Sequence, residues 1–163
     1  MRRADLVTDK IYSVPEISRR VMQWRLLSKS IAFTNGVFDI LHPGHIYSIA
    51  EAASQADLLV VGLNSDASVK RLKGADRPVC DQDARALLLA SLLVVDAVVI
   101  FEEDTPLELI RLIRPDVLVK GGDYTPEQIA GARDVQVYGG RVHIHPVLEG
   151  HSTTSIIGRI RGE

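Results

Sequence analysis

One cysteine, Cys80, stands in a chain of 163 residues. A lone thiol excludes an intrachain disulfide framework and any zinc site built on several cysteines, and it suits a reducing cytosol. No supporting context singles it out as a nucleophile. A dominant charge is also missing: the formal net charge of −2 carries no global bias toward nucleic acid or membrane. Long hydrophobic runs are absent. Leu58–Leu63 and Ala97–Phe101 are among the longest, and they fall far short of the ~20 residues that span a bilayer. Arg2 and Arg3 precede no apolar signal run, because Asp5, Asp9 and Lys10 interrupt it; secretion is not expected, and the expected location is cytoplasmic. Two phosphate-binding strings are lacking, Gly-x-x-x-x-Gly-Lys-Ser/Thr and Gly-x-Gly-x-x-Gly. No internal repeat, low-complexity stretch or long linker divides the chain. Its length and its 46% apolar content fit one domain with a sizeable core.

What is present is an alternation of strand and helix signals. Ser13-Val14-Pro15-Glu16 reads as a capping box with Pro in the first turn, opening a helix to about Leu27. Strands are predicted over 30–34, 57–63, 97–101, 116–120 and 141–147. Helices are predicted after the first strand to about Ala56, briefly within 64–80, over 81–93, from a second capping box at Thr105-Pro106-Leu107-Glu108 to before Pro115, from Thr125, and over 152–161. Residues 132–138 are ambiguous between helix and strand. Continuous apolar strands between helices of this length predict an α/β, three-layer, Rossmann-like fold with a mainly parallel five-stranded sheet. The single domain is read as a core over 28–161 behind an N-terminal extension and helix, 1–27.

The stretch with most chemistry is Thr34-Asn35-Gly36-Val37-Phe38-Asp39-Ile40-Leu41-His42-Pro43-Gly44-His45. It runs from a buried strand through a glycine-bearing loop into a helix, with two histidines at the loop–helix junction. A helix N-terminus offers free N–H groups and the positive end of a dipole, which favour phosphate. Imidazoles there can donate to phosphate oxygens. In a parallel sheet, ligands bind beyond the carboxyl ends of the strands. Asn35, Asn64 with Asp66, Gly121 to Asp123 and Glu149 to Thr154 all follow strands, so they face one crevice.

Gly36-Val37-Phe38-Asp39-Ile40-Leu41-His42-Pro43-Gly44-His45 resembles the signature of the nucleotidyltransferase superfamily with the His-x-Gly-His motif. Gly62–Asp66, Leu72-Lys73-Gly74, Arg77-Pro78-Val79, Val119–Tyr124 and Ser152-Thr153-Thr154 follow in the order found in bacterial adenylyltransferases that make ADP-heptose, over roughly residues 28–161. The resemblance implies attack of a heptose 1-phosphate oxygen on the α-phosphorus of ATP, with release of pyrophosphate. The product would serve lipopolysaccharide inner-core synthesis. It also implies Mg²⁺ bound mainly through the ATP phosphates, a homo-oligomer, and dependence on a separate heptose kinase, since this chain has no room for one. Rival readings are a cytidylyltransferase for glycerol 3-phosphate or another phosphate acceptor, and a non-catalytic nucleotide-binding regulator.

No protein nucleophile is needed, because the substrate phosphate supplies it; alignment and charge stabilisation are the protein's task. His42, His45 and Lys73 are the expected catalytic groups at the phosphates. Thr34, Asn35, Gly36, Phe38, Arg85, Gly121, Asp123, Ser152, Thr153 and Thr154 are expected around the nucleotide, with Arg85 on the triphosphate and Asp123 on the ribose or base. Asp39, Asn64, Arg77 and Lys120 are expected on the substrate side; Asp39 either orients a water on Mg²⁺ or holds the loop. Lys73 is expected in a polar loop that closes over the site. Where related cytidylyltransferases carry Arg-Thr before the last helix, this chain has Val147-Leu148, read as an apolar wall that suits adenine. His143 and His145 alternate on one strand face and lack a third metal ligand, so they are read as structural or as part of an oligomer surface.

Overall fold

The computed structural model describes residues 4–162. Six strands, β1 (Ile11–Tyr12), β2 (Ile31–Gly36), β3 (Leu58–Asn64), β4 (Ala97–Phe101), β5 (Val117–Gly121) and β6 (Arg141–His145), form one sheet in the order β1-β4-β3-β2-β5-β6. Every pairing is parallel. Seven helices intervene: α1 (Val14–Leu26), α2 (Pro43–Ala53), α3 (Asp66–Lys73), α4 (Gln82–Ala90), α5 (Leu107–Ile113), α6 (Ala132–Val137) and α7 (Thr153–Arg161).

The sheet is buried on both faces, and its side chains alternate between two clusters. Phe33, Val60, Val99 and Leu118 meet Ile17, Val21 and Trp24 of α1, Ile110 and Ile113 of α5 and Val135 of α6. Ala32, Leu59, Val61, Val98 and Val119 meet Ile49 and Ala52 of α2 and Ala86 and Leu89 of α4. This is the expected three-layer arrangement, with β2 at its centre. From β2 the chain builds outward through β3 and β4 on one side and through β5 and β6 on the other. The order therefore reverses between β2 and β5, and a crevice opens above their carboxyl ends.

The sheet has six strands rather than five. β1 contributes only Ile11 and Tyr12 beside Val98 and Val99, too short a segment to show any periodicity. Residues 132–138 resolve mainly into helix α6. The capping box at Ser13 forms: Glu16 Oε2 accepts from the Ser13 N–H at 2.8 Å. The one expected at Thr105 does not. Pro106 takes the N-cap position, and Glu108 is turned to Arg111, 2.9 Å away. Thr125–Gln128 carries a capping box instead, on a three-residue 3₁₀ turn. Among the described residues no helix is long and apolar enough to cross a membrane.

Candidate functional site

The loop between β2 and α2 is bent by two non-glycine residues in the left-handed region, Phe38 (φ 49°) and Ile40 (φ 52°). Such conformations cost free energy and persist only where the surroundings impose them. His42 is the N-cap of α2 and Pro43 opens its first turn; His42 Nδ1 accepts from the His45 N–H at 3.4 Å. Spacing of three residues on a helix brings the two rings together. They stack with centroids 3.7 Å apart and 22° between planes, and Phe38 meets the His45 ring edge-on. Gly44 makes the stack possible: a Cβ there would stand 3.0 Å from two His42 ring atoms.

Asp39 holds this loop. Its side chain is fully buried. It accepts from Arg77 Nε at 2.9 Å and from the N–H groups of Val79 and Cys80 at 2.8 and 3.0 Å. Burial alone would raise its pKa; the Cys80 and Val79 N–H donors and Arg77 outweigh that and hold it below the ordinary carboxylate value. Both oxygens accept hydrogen bonds, and through them the side chain holds the loop. From the other side, the Thr153 hydroxyl donates to the Asp39 carbonyl at 2.7 Å. That bond draws the start of α7 onto the motif loop. Ser152 caps α7 by accepting from the Ser155 N–H at 3.1 Å, which leaves other first-turn N–H groups for an incoming anion.

These elements enclose a cavity of about 410 Å³ at the carboxyl ends of β2 and β5. Of the expected residues it gathers Thr34, Asn35, Gly36, Phe38, Asp39, His42, His45, Lys73, Arg77, Lys120, Gly121, Ser152, Thr153 and Thr154. Three lie elsewhere. Asn64 faces an adjoining cavity, with its amide donating to Ser68 Oγ at 3.0 Å. Asp123 is exposed and lines neither cavity; Tyr124 lines both. Arg85 lies beneath the site and is 1% exposed. It donates to the carbonyls of Cys80, Val37 and Asn64 at 3.0, 2.6 and 3.0 Å and pairs with Asp66 at 2.6 Å. With those bonds made it supports the loops instead of meeting a triphosphate. Lys73 is the last residue of α3, exposed, rather than part of a loop. Val147 and Leu148 are 57% and 39% exposed and line neither cavity, so the expected apolar wall is not formed.

Ser48, Tyr124 and His151 also line the cavity. Ser48 was legible as the next residue in the i, i+3 series after His42 and His45. His151 was not, because its place depends on how α7 docks; its Cβ stands 3.3 Å from a Cβ built on Gly44. His145 is buried against Gly121 and edge-on to Tyr47. No cluster of three His, Cys, Asp or Glu side chains able to hold a metal occurs among the described residues.

Burial favours the neutral form of both motif histidines. Burial lowers the His42 pKa, helped by His151, and burial followed by the charge of His42 takes His45 down from 6.5 to about 4. The cavity thus presents neutral imidazole donors, a helix N-terminus, and cations at Lys73, Arg77 and Lys120. That is chemistry for a polyanion with several phosphoryl oxygens.

The structure generates two predictions. Arg85→Ala leaves three carbonyls and Asp66 without a partner, and is expected to lower the unfolding free energy by about 3–5 kcal/mol, measured by urea titration. Loss of less than about 1 kcal/mol would show that the loops do not depend on it. For His45, the unfolded chain takes up a proton near pH 6.5 that the folded chain takes up only near pH 4. Its contribution to stability is therefore complete above pH 6.5 and is lost as the pH falls toward 4. The thermal midpoint should fall across that window, and fall less in His45→Gln; parallel curves would assign the loss to other groups.

A model of the cytidylyltransferase-like family matches residues 33–159. The chain is 58% identical over 139 residues to the bifunctional protein HldE of Acidiphilium cryptum, covering 85% of this chain and 29% of that protein; it spans under a third of that relative's length. The crystal structure of the lipopolysaccharide core biosynthesis protein from Thermoplasma volcanium superposes with a TM-score of 0.60 at 28% identity, covering 76% of this chain and 99% of that one. Pantoate–β-alanine ligase from Francisella tularensis, at 15% identity and a TM-score of 0.60 over 93% of this chain and 76% of that one, shares the fold. With the family match running from β2 into α7, through the stacked histidines and the hydroxyl-bearing helix start, the chain belongs to the cytidylyltransferase-like family.

Proposed function

We propose that the chain transfers AMP from ATP to a heptose 1-phosphate, giving ADP-heptose and pyrophosphate, as a step toward the lipopolysaccharide inner core. The observation that carries this reading is the convergence of the stacked His42–His45 pair, the start of α7, and Lys73, Arg77 and Lys120 on one cavity. The resemblance of the motif set to ADP-heptose-forming adenylyltransferases, the identity with HldE, and the lipopolysaccharide role of the T. volcanium protein support the substrate.

In this reading the triphosphate lies along the motif loop. His42 and His45 donate N–H groups to phosphoryl oxygens as charge moves onto the leaving pyrophosphate. Lys73 and Arg77 neutralise the same region, and the first-turn N–H groups and hydroxyls of Thr153 and Thr154 add donors. His42, Arg77 and Thr153 are already held by hydrogen bonds to the motif loop, so these donors need little reorganisation at the moment of reaction. Gly121 lines the cavity at a point where any side chain would collide with His145 and Ser48. Among the described residues no cluster of three His, Cys, Asp or Glu side chains able to hold a metal occurs; Mg²⁺ would be held mainly by the ATP phosphates and would supply charge neutralisation there.

The test is pyrophosphate release from ATP and from CTP with a panel of sugar 1-phosphates and glycerol 3-phosphate. ATP with a heptose 1-phosphate should exceed CTP by about tenfold or more in kcat/KM, a difference of about 1.4 kcal/mol in transition-state binding. A preference for CTP with glycerol 3-phosphate would replace this reading by a cytidylyltransferase, and nucleotide binding without turnover would replace it by a regulator. His42→Ala and His45→Ala should each lower kcat by about 10²–10³-fold, as loss of one preorganised donor does. Near-normal turnover in folded variants would remove them from the mechanism.

A further inference from the structure

Far from the motif loop, a cavity of about 390 Å³ opens between α5 and α6, in the helix layer on the face of the sheet away from α2 and α4. It shares no lining residue with the nucleotide cavity, yet it is nearly as large. Its lining is Arg111, Arg114, Arg133, Asp134, Val137 and Tyr138. Three guanidiniums thus meet one carboxylate. A neighbouring cavity of about 410 Å³ shares Arg114 and Tyr138 and adds Arg25. None of these arginines has a part in the chemistry at the histidine pair.

The bonds made inside this cluster decide which charges are left over. Arg111 donates to Asp134 at 2.8 Å and to Glu108 at 2.9 Å, so it and Asp134 satisfy each other. Arg25 is likewise paired, with Asp116 at 2.6 Å. Arg114 and Arg133 pair with no carboxylate among the described residues. Arg114 is moreover held in place. Its backbone lies in the left-handed region at φ 48°, a conformation that costs free energy in a non-glycine residue and persists where neighbours impose it. Its N–H donates to the Ile110 carbonyl at 2.8 Å, its carbonyl accepts from Arg25 Nη2 at 2.7 Å, and the next carbonyl, of Pro115, accepts from the Tyr138 hydroxyl at 3.2 Å. The turn sets the Arg114 guanidinium over the Tyr138 ring, 4.9 Å from its centroid. A guanidinium resting on a ring keeps the N–H donors at its edge free for a planar or tetrahedral oxyanion. Burial takes the Tyr138 pKa up to about 12, so the phenol adds no negative charge.

We propose that the cavity between α5 and α6 is a second anion site, which binds a phosphate group, free or carried on a small organic body, through Arg114 and Arg133. Guanidiniums match phosphate oxygens two at a time, which a lysine does not. Two unpaired arginines also match the charge of a phosphate monoester, about −1.5 to −2 near pH 7. The exposed Val137 and the edge of Tyr138 offer apolar surface beside the charge. A second copy of this face is a poor occupant, because apposing it to itself sets arginine against arginine. The site does not depend on the adenylyltransferase reading. It lies at the amino end of β5, where Asp116 leads into the strand, and Lys120 and Gly121 at the other end line the nucleotide cavity. The two anion sites thus stand at opposite ends of one strand.

The test is a titration of isotope-labelled protein with inorganic phosphate, inorganic pyrophosphate and glucose 1-phosphate, at an ionic strength held constant with sodium chloride, followed by backbone amide shifts in nuclear magnetic resonance. Saturable shifts should appear from Arg111 to Asp116 and from Arg133 to Tyr138, separately from any on the motif loop. Arg133→Gln should weaken that binding about threefold to fivefold, the size of one exposed ion pair, and Arg114→Gln with Arg133→Gln by about tenfold or more. In both variants the shifts on the motif loop should follow the wild-type titration. Tighter binding of glucose 1-phosphate than of inorganic phosphate assigns the site to an organic phosphate, and equal binding assigns it to the free ion; both support the proposal. Shifts confined to the motif loop, equal affinity in wild type and Arg133→Gln, or the same shifts from chloride alone overturn it. Shifts from a hexaglutamate peptide with none from the phosphates also overturn it, and make the face a docking surface for an acidic protein. Should the double variant fail to fold by circular dichroism, Arg133→Gln decides alone, since that side chain is exposed and unpaired.

Discussion

The site depends on one buried cation. Arg85 sits on α4, closed to solvent, and its guanidinium reaches the motif loop at Val37, the end of β3 at Asn64, the segment before α4 at Cys80, and Asp66 at the start of α3. Taking a charge out of water costs several kcal/mol, and the penalty is offset only where close to every donor finds an acceptor. Here the acceptors come from four separate stretches of chain. Satisfying one guanidinium therefore fixes the relative positions of the loops that carry the functional groups. Asp39 does the converse from the neighbouring position, as a buried anion satisfied by Arg77 and two backbone donors. Between them the two charges hold a loop that contains two left-handed non-glycine residues.

Placement of that loop follows from topology. Strand order reverses between β2 and β5, so the connections leaving these strands diverge and a crevice remains between them. The His42–His45 stack, the Gly121 turn and the start of α7 border that crevice. Its imidazoles are neutral because burial disfavours the charged form and each ring lies against its partner. Neutral donors hold a polyanion through hydrogen bonds without fixing it by strong ion pairing. Net positive charge comes from exposed Lys73, from Arg77 paired with the buried Asp39, and from Lys120, whose pKa burial lowers.

Much of the site was legible because its signals are local. The i, i+3 spacing of His42 and His45, the Pro at the first turn of α2 and the Ser-Thr-Thr start of α7 each describe contacts within a few residues. The cavity gathers them as expected. Arg85 was read as a ligand for phosphate because sequence shows a basic residue on a helix and not which carbonyls surround it. Asp123 and Asn64 were placed in the crevice because both follow strands, a rule that locates the end of a strand but not the direction of a side chain. Lys73 was assigned to a loop, and it closes the last turn of α3.

By itself the sequence determined the elements, the parallel sheet and the identity of the loop that carries the histidines. Apolar periodicity, capping chemistry and turn residues act over the range of one helix or strand, and that range is visible in a linear string. Tertiary structure alone decided that β1 joins the sheet edge, that Val147 and Leu148 face solvent rather than a nucleobase, that His151 reaches the cavity, and that Arg114 and Arg133 line one cavity. Each of these is a contact between segments distant in the chain. Such contacts are set by how the layers pack and by which buried charges must be satisfied, and no local pattern of residues encodes them.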